Sequence, residues 1–499
     1  MRMLKCGCAL VAIVAASPVL AQTAPTAPTN ETLADLVRRQ AAEIADLRAR
    51  VEQLEGHGAA DTSEEAPDSV IVVSAEEKDS GLGANARVVT LPYAPQLITP
   101  TPVERDIVRA QAAKDAGVTT EWGAGLPVFH SADGQFSFKP RGRILSDVGT
   151  TFGSDHDARN ITTTGMRSLR LGFEGGVGTH LFYQLEAELG QSKVQIMAAS
   201  LGWRDNISAK TSFDVQAGNL FNDRSFDGST GSDSTPFMER SVVADAIAPE
   251  RGYFGMGAMG RLYFPAGHLA VTVTGDTVDA DHTQSDSRTA MARLNLNPLH
   301  SDRGLLHVAA WGFDEALNGA SRTLTPSTFV DTRFNGALRV QGGALTGATG
   351  TTGYGFELGG YQGPVWFMAE GGERRTRLDD GRPDFRTRAY SLSAGWFVTG
   401  ELPPYNPRVG SFGRPHVLSP VFDGGPGAIE LTTRYEQVSF RNLPDPADGW
   451  SETLGANWYL NSFTRIQLNA VYWSVTDALP AYSGTDKGET LAARFGVTF

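Results

Sequence analysis

The sequence predicts an all-β fold, a transmembrane β-barrel, preceded by an α-helical coiled coil and a linker. Three observations lead to this fold class. Residues 1–21 have the composition of an export signal, segments of about ten alternating apolar and polar residues recur from Phe136 onward, and the chain ends on another such segment, residues 488–499. Side chains of a strand point alternately to its two faces, so each segment suits a sheet with one face on lipid and the other on water.

Residues 1–21 read as a secretory signal peptide. Arg2 and Lys5 precede a short apolar core, and Ala21 closes a small-residue cleavage site. The core is too short to span a membrane as a helix. Cys6 and Cys8 both fall in the removed part, so we expect a mature chain with no disulfide and no thiol catalysis.

Charge and hydropathy exclude two classes of protein. The chain after residue 21 holds 41 Lys and Arg against 56 Asp and Glu, a net charge of −15, which argues against nucleic-acid binding. It has no run of 18 consecutive apolar residues, which argues against a helical membrane protein. A transmembrane barrel stays open because only alternate residues of each strand face lipid.

Residues 30–56 carry a heptad repeat. Its seam has Val37, Ile44 and Val51 at a positions and Leu33, Gln40, Leu47 and Leu54 at d positions. Few apolar residues lie outside this seam, which favours an oligomeric coiled coil over the alternative, a single amphipathic helix packed on another surface. Residues 57–130, with a Pro-rich run at 91–102, read as an extended linker.

One apolar segment interrupts the linker, at residues 68–75. It resembles the TonB box of energised outer-membrane transporters, and Val70, Ile71, Val72 and Val73 would then add a strand to the edge of TonB. The alternative is a β-prone patch of linker or a strand inside the mouth of the barrel. Too few residues follow it to form a plug domain before the first barrel strand.

The alternation assigns residues to faces in the barrel, taken as residues 131–499. In the first strand Arg141, Arg143 and Asp147 share the polar face, and in the second Ser168 and Arg170 do. Arg167 falls in the lipid-facing phase, so we expect it at the membrane interface or on a turn. A soluble sandwich would alternate in the same way, and the number of strands without a central helical segment favours closure.

Aromatic residues recur near the predicted strand ends, where they suit an interfacial girdle. They are Trp203, Tyr253, Tyr263, Trp366, Trp396, Tyr405, Trp450, Trp458, Tyr459 and Trp473.

Six runs, in order, are similar to the phosphate-selective porin O and P family. They span residues 136–149, 166–176, 234–256, 390–401, 427–436 and 454–461, and the most telling contain FMER and WFVTGE. The resemblance implies a sixteen-stranded outer-membrane barrel, a homotrimer without a cofactor, and diffusion of anions through an arginine-lined pore. The final strand, which ends at Phe499, resembles the signal read by the barrel-assembly machinery; a soluble all-β protein ending in Phe is the alternative.

The resemblance also suggests which residues carry transport. By phase Arg141, Arg143, Arg170 and Arg494 should face the lumen, and Arg224 is the only base of the loop expected to fold inward, residues 219–239. Guanidinium groups bind anions through a rigid fork and keep their charge. Arg141, Arg143 and Arg170 could instead each pair with a carboxylate, Asp147, Glu174 or Glu186, and serve structure alone.

The family's phosphate-selective members have a lysine in the inward loop and a second arginine where this chain has Ser168. Both departures favour a porin for small anions over one specific for phosphate. A further arginine cluster, at residues 374–388, reads either as an anion-attracting vestibule or as a turn balanced by carboxylates.

Two other functions are less favoured by the sequence. The sequence has no HExxH, GxSxG or paired Cys/His motif, so we do not expect an enzyme. The main alternative to passive diffusion is TonB-energised uptake of a phosphorylated or other anionic solute through residues 68–75.

Overall fold

The computed structural model describes residues 118–122, 126–190, 193–279, 287–330, 332–443, 445–477 and 481–499. The predicted signal peptide, the coiled coil at 30–56 and the segment at 68–75 lie outside the described residues. In the described ranges no helix has the length and apolar character needed to cross a membrane.

The described chain is built almost entirely from strands. They are β1 (Val118–Glu121), β2 (Val128–Ser131), β3 (Phe136–Phe152), β4 (Thr162–Val177), β5 (Leu181–Glu188), β6 (Gln195–Ser208), β7 (Thr211–Phe221), β8 (Phe254–Phe264), β9 (Gly267–Thr274), β10 (Arg288–Ser301), β11 (Gly304–Ala316), β12 (Ser327–Thr328), β13 (Val340–Gln341), β14 (Ala348–Gln362), β15 (Val365–Leu378), β16 (Phe385–Phe397), β17 (Tyr405–Asn406), β18 (Ser411–Phe412), β19 (Ala428–Arg441), β20 (Ala447–Tyr459), β21 (Thr464–Asp477) and β22 (Gly484–Thr498). Two short helices, α1 (Phe226–Ser229) and α2 (Val242–Ala246), lie between β7 and β8.

Sixteen of these strands form a closed antiparallel barrel, as predicted. Each of β3–β11, β14–β16 and β19–β22 pairs with its neighbour, and β22 returns to β3, from Glu489 opposite Phe152 to Thr498 opposite Arg143. Closure leaves no free sheet edge along this seam.

The two ends of the barrel chain meet at Gly142. The backbone N–H and C=O of Phe499 both bond to Gly142, at 2.9 and 2.8 Å. The Phe499 ring also covers this glycine, where a Cβ would lie 2.7 Å from the ring. The β1–β2 hairpin pairs with the start of β3, Phe129 opposite Phe138, beyond the end of β22.

The outer surface is apolar. Large side chains at alternate positions are exposed there, for example Leu454 at 67% and Phe356 at 63%. The residues between them point inward and are polar or packed. This is the pattern of a barrel surrounded by lipid.

The predicted aromatic girdle holds for only part of its residues. Trp203, Trp396 and Trp458 are exposed on the outer surface. Tyr263, Trp366, Tyr459 and Trp473 are instead buried on the inner face, because their strand positions place them in the inward phase. Tyr253 and Tyr405 belong to segments that fold into the lumen.

The connections differ between the two ends of the barrel. At the end where β3 starts and β22 stops, here the short-turn end, most turns are tight. The exception is residues 398–427, between β16 and β19, which carry the β17–β18 hairpin. Long connections lie at the other end, notably residues 222–253, here the constriction loop, and residues 317–347.

The lumen is filled unevenly. The constriction loop packs in two apolar clusters, one around Phe226, Phe237 and Trp366, the other around Val243 and Ile247. Inward side chains of β10 and β19 are buried beneath this packing, whereas many of those on β4–β8 are half-exposed. Open space is therefore displaced toward the β3–β8 wall.

Candidate functional site

Glutamates of the barrel wall hold the constriction loop by its backbone N–H groups. Glu370 accepts from the N–H of Asp227 (3.0 Å), in the first turn of α1, and Glu436 accepts from that of Val242 (3.0 Å), the first residue of α2. Glu315 accepts from the N–H groups of Glu250 (2.8 Å) and Arg251. The first N–H groups of a helix have no acceptor within the helix, and when they are buried they need one from elsewhere. Here glutamates of the wall supply it.

Arginines of the wall hold the same loop by its carbonyl groups. Arg374 donates to the Ala248 C=O (3.0 Å), Arg434 to the Glu239 C=O (2.9 Å) and Arg465 to the Thr235 C=O (2.8 Å). The wall thus holds the loop by both its N–H and its C=O groups, which fixes the loop's position.

Arg494 belongs to this anchoring set. It points inward but is only 1% exposed, with its Nε and Nη2 on the two oxygens of Asp147 (2.6 and 2.7 Å). It also contacts Glu239 (3.0 Å) and the Met238 C=O. It differs from its predicted place on the open lumen because the constriction loop covers it.

Residues 398–427 enter the lumen from the short-turn end and meet the constriction loop. Arg293 of β10 joins the two, donating to Asp223 (2.7 Å) and to the carbonyls of Val409 (2.7 Å) and Gly410 (2.8 Å). The Phe412 ring packs edge-on against Phe226, 4.9 Å between centroids. The constriction is therefore built from both ends of the barrel.

A cavity of about 550 Å³ remains between these segments and the β3–β8 wall. Its charged lining comprises Arg141, Arg143, Arg167, Arg170, Arg240, Arg261, Arg333, Glu186, Glu188, Asp223 and Asp233. In this lining guanidinium groups outnumber carboxylates by seven to four, although the chain as a whole is acidic. A confined positive lining raises the local concentration of anions.

Three of the four wall arginines predicted to face the lumen line this cavity, each beside a carboxylate. Arg141 contacts Glu174 (2.7 Å) and Arg170 contacts Glu188 (2.8 Å). Arg143 contacts Asp233 of the constriction loop (2.8 Å) rather than its strand neighbour Asp147.

Asp233 keeps its negative charge. Burial alone would raise the pKa of its carboxyl, but Arg143 and Arg414 attract the ionised form and lower the pKa to about 2. The Arg143–Asp233 contact is thus a charged pair across the cavity.

Arg167 points into the lumen and lines the cavity, so its predicted lipid-facing orientation is wrong. The register of β3 and β4 shifts between Leu145 and Ser146. Leu145 lies opposite Ser168 and Ser146 lies opposite Met166, so Arg167 has no residue opposite it on β3. This β-bulge turns Arg167 inward, where it makes two bonds to Glu239 (2.6 and 2.8 Å). A simple alternation cannot detect an inserted residue.

The constriction loop extends beyond the predicted range of 219–239. Arg224 is fully buried, stacked 3.7 Å from the Tyr253 ring centroid, and does not line the cavity; this differs from its predicted role. Arg240, one residue past the predicted boundary, does line it. Sequence reasoning also missed Arg261 and Arg333; the luminal phase of β8 could have indicated Arg261.

The arginine cluster at 374–388 is largely balanced by carboxylates. Arg375 and Arg388 both contact Glu373 (2.5 and 2.7 Å), and Arg377 contacts Asp314 (3.1 Å). This arrangement favours the reading of a balanced turn over that of a vestibule.

Comparison with known proteins gives a family match and several related chains. The family model "Phosphate-selective porin O and P" matches residues 138–499. The chain is 29% identical over 503 residues to an uncharacterized protein of Caulobacter vibrioides, covering 95% of this chain and 92% of that protein.

Solved structures with a similar fold include three channels or outer-membrane proteins. OmpT of Vibrio cholerae has 12% identity and a TM-score of 0.45, covering 73% of this chain and 98% of its own. An anion-selective porin from Comamonas acidovorans has 14% identity and a TM-score of 0.44, covering 73% and 100%. The outer membrane channel DcaP of Acinetobacter baumannii has 11% identity and a TM-score of 0.43, covering 74% and 99%.

Proposed function

Because the chain belongs to the phosphate-selective porin O and P family, it is an outer-membrane porin, and we propose that it passes small anions by passive diffusion. The observation that carries the proposal is the cavity at the constriction, with seven arginines against four carboxylates. Arg141, Arg143 and Arg170 are the proposed pore-lining cations on the barrel wall. Family and fold are those of a channel rather than an enzyme.

We propose a broad anion preference rather than phosphate specificity. The constriction loop contains no lysine, and most arginines beside the cavity have a carboxylate partner. Partial compensation leaves a moderate positive potential, which favours anions in general without a deep site for a multivalent one.

A planar bilayer experiment tests this function. In a KCl gradient, replacing Arg141, Arg143 and Arg170 together by Gln should bring the reversal potential closer to zero. The anion preference decreases because three positive charges are lost from the lining. Arg382→Gln is the matched control, since Arg382 lies in the turn between β15 and β16 beside Asp380. An unchanged reversal potential in the triple variant would refute the role of these arginines.

We also propose the assembly of the whole chain. Residues 1–21 direct export, residues 30–56 join three copies on the periplasmic side, and residues 57–130 link them to the barrel of 131–499. The outer face of β20–β22 offers a concave apolar groove with small residues such as Ala456, Ala470 and Ala493, which would let a neighbouring barrel approach closely.

Two protein partners are proposed, one for assembly of the barrel and one for energised uptake. We propose that the barrel-assembly machinery reads the strand that ends at Phe499. The segment at 68–75 lies outside the described residues, and energised uptake through TonB stays the alternative to the passive diffusion that we propose.

A further inference from the structure

Six of the seven arginines that line the cavity lie beside a carboxylate. The pairs are Arg141–Glu174, Arg143–Asp233, Arg167–Glu239, Arg170–Glu188, Arg261–Asp214 and Arg333–Glu239. The seventh, Arg240, has no carboxylate within ion-pair distance among the described residues. Asp227 acts on it only from farther away, since that carboxylate bonds to Thr235 and Ser241. Arg240 therefore has the least compensated charge in the cavity.

The hydrogen bonds of Arg240 fix the direction in which it can bind. Its Nε and Nη2 both donate to the Thr230 C=O, at 2.9 and 2.7 Å. These two atoms form one edge of the guanidinium, so the edge between Nη1 and Nη2 is left for a ligand. That edge is a fork that matches the two oxygens of a carboxylate.

Two aromatic rings, Phe221 and Tyr253, lie beside the Arg240 guanidinium at the two ends of the constriction loop, and a third, Phe254, contacts Phe221. Phe221 stacks parallel to Tyr253 (6.0 Å between centroids) and meets Phe254 edge-on (5.2 Å). The Arg240 guanidinium is 5.5 Å from the Tyr253 ring and 6.0 Å from that of Phe221. All three rings line the cavity, and the Tyr253 hydroxyl is already bonded to the Ala244 C=O and to Asp245.

A hydrated inorganic anion gains only electrostatic attraction from this arrangement. An anion that also carries a ring gains ring–ring contact and removes apolar surface from water. A single uncompensated guanidinium suits one negative charge, and a cavity of about 550 Å³ has room for a single-ring molecule.

We propose that Arg240, Phe221 and Phe254 form a binding subsite for small aromatic carboxylates within the constriction. The carboxylate sits on the Nη1–Nη2 fork and the ring lies against the phenylalanines. The subsite rests on the proposed anion-porin function, whose solute class it narrows. A passing solute is held briefly at the narrowest part of the lumen before it diffuses on.

The test measures block of the ion current by benzoate, acetate, cyclohexanecarboxylate and phosphate in planar bilayers of the full-length protein. Benzoate should half-block the chloride current of the wild type at a several-fold lower concentration than the other three. This comparison needs no variant. Equal half-blocking concentrations for benzoate and cyclohexanecarboxylate would overturn the subsite.

Two variants locate the site. Arg240→Gln should raise the half-blocking concentration of benzoate about tenfold, as expected for the loss of one charge-assisted fork. Phe221→Leu should bring benzoate to the level of cyclohexanecarboxylate, and Arg382→Gln should change neither. Benzoate block that is unaltered in both Arg240→Gln and Phe221→Leu would overturn the assignment.

The reversal potential of the same membranes separates this proposal from the anion-porin function. If benzoate shows no preference while the wild type still favours chloride over potassium, the subsite fails and the anion porin stands. If the wild type favours potassium, the proposed function itself fails, and the subsite with it.

Discussion

At the scale of single residues, the lumen separates arginines that bind the protein from those that face solute. Arg494 is of the first kind, since its charge is shared between Asp147 and Glu239 under the constriction loop. Arg240 is of the second kind. Their positions in the sequence do not reveal the difference, because it depends on contacts with residues far apart in the chain.

Arg494→Met tests the anchoring role. The change leaves the buried carboxylates of Asp147 and Glu239 without this partner, so we expect a loss of about 3 kcal/mol in barrel stability and a looser constriction loop. One measurement is the temperature at which the barrel unfolds and its gel mobility changes, which should fall. The other is the single-channel current, which should become noisier. Arg441→Met is the control, since Arg441 is exposed on β19. A variant with wild-type heat resistance and quiet current would contradict the role.

Asp233 sets how much of the charge of Arg143 is available to an anion. The pKa of the Asp233 carboxyl is lowered to about 2. The contribution of its charge to stability is therefore fully present above the ordinary pKa of an aspartate, and it is lost only as the pH falls through the lowered pKa. The Arg143–Asp233 pair should therefore persist in the wild type when the pH is lowered from 8 to 5.

Asp233→Asn should raise the anion preference at pH 7, because it frees Arg143 without removing it. The reversal potential in a KCl gradient measures the change, with Asp314→Asn, on an exposed carboxylate, as the control. The idea is wrong if Asp233→Asn leaves the reversal potential where it was.

Strand periodicity was sufficient to assign Arg141, Arg143 and Arg170 to the inner face, because the side-chain period of a strand is two. It failed at Arg167, where the bulge opposite Leu145 and Ser146 inserts one residue. It was also silent on Arg240, because no period governs a loop and the partners that hold this one lie on distant strands.

At the scale of elements, two segments that fold inward from opposite ends determine the constriction. An inward loop was expected from the resemblance at residues 219–239, and the structure extends it to residue 253. The segment at 398–427 was not, because its Pro- and Gly-rich sequence reads as an ordinary connection. Its contacts, such as Ser411 to the Ser229 C=O (3.3 Å), join residues far apart in sequence.

Replacing residues 405–413 by a short Gly/Ser linker should widen the constriction. The replacement removes the support of α1 by Phe412 and the carbonyl partners of Arg293, while the pairing of β16 with β19 stays intact. Single-channel conductance should increase relative to the wild type. As a control, the same type of linker in the turn at 379–383 should leave conductance unchanged. Equal conductance of the 405–413 variant and the wild type would show that this segment does not restrict the lumen.

At the scale of the whole molecule, the sheet could be predicted far better than its contents. Alternating segments and the terminal strand indicated a barrel, and the family resemblance gave the number sixteen. The filling of one half of the lumen was beyond the sequence, because it depends on which wall residue meets which loop atom. The sequence predicts that Glu370 and Arg434 are charges facing the lumen, yet both form hydrogen bonds to the backbone of the constriction loop.

The overall charge of the protein is a poor guide to its selectivity. The chain has a net charge of −13, whereas the charged lining of the cavity is mainly arginine. Charges more than a Debye length away, about 8 Å at physiological salt, are largely screened. The groups at the constriction should therefore dominate what passes.

Removing residues 30–56 tests the proposed trimer. If the coiled coil contributes to assembly, the truncated protein should dissociate to monomers at a lower temperature or detergent concentration than the full chain, as read from native gels and light scattering. A double substitution, Ile44→Asp with Leu47→Asp, should act in the same way. Trimers of unchanged resistance would show that the barrel surfaces alone hold the copies together, and monomers in every form would refute the trimer.

The central claim is that the constriction attracts anions, and the reversal potential of the wild-type protein in a tenfold KCl gradient tests it most directly. We expect a potential of the sign given by chloride permeating faster than potassium, and a decrease in its size when Arg240 or the three wall arginines are replaced by Gln. A potential of the opposite sign, showing that potassium passes faster, would contradict the account.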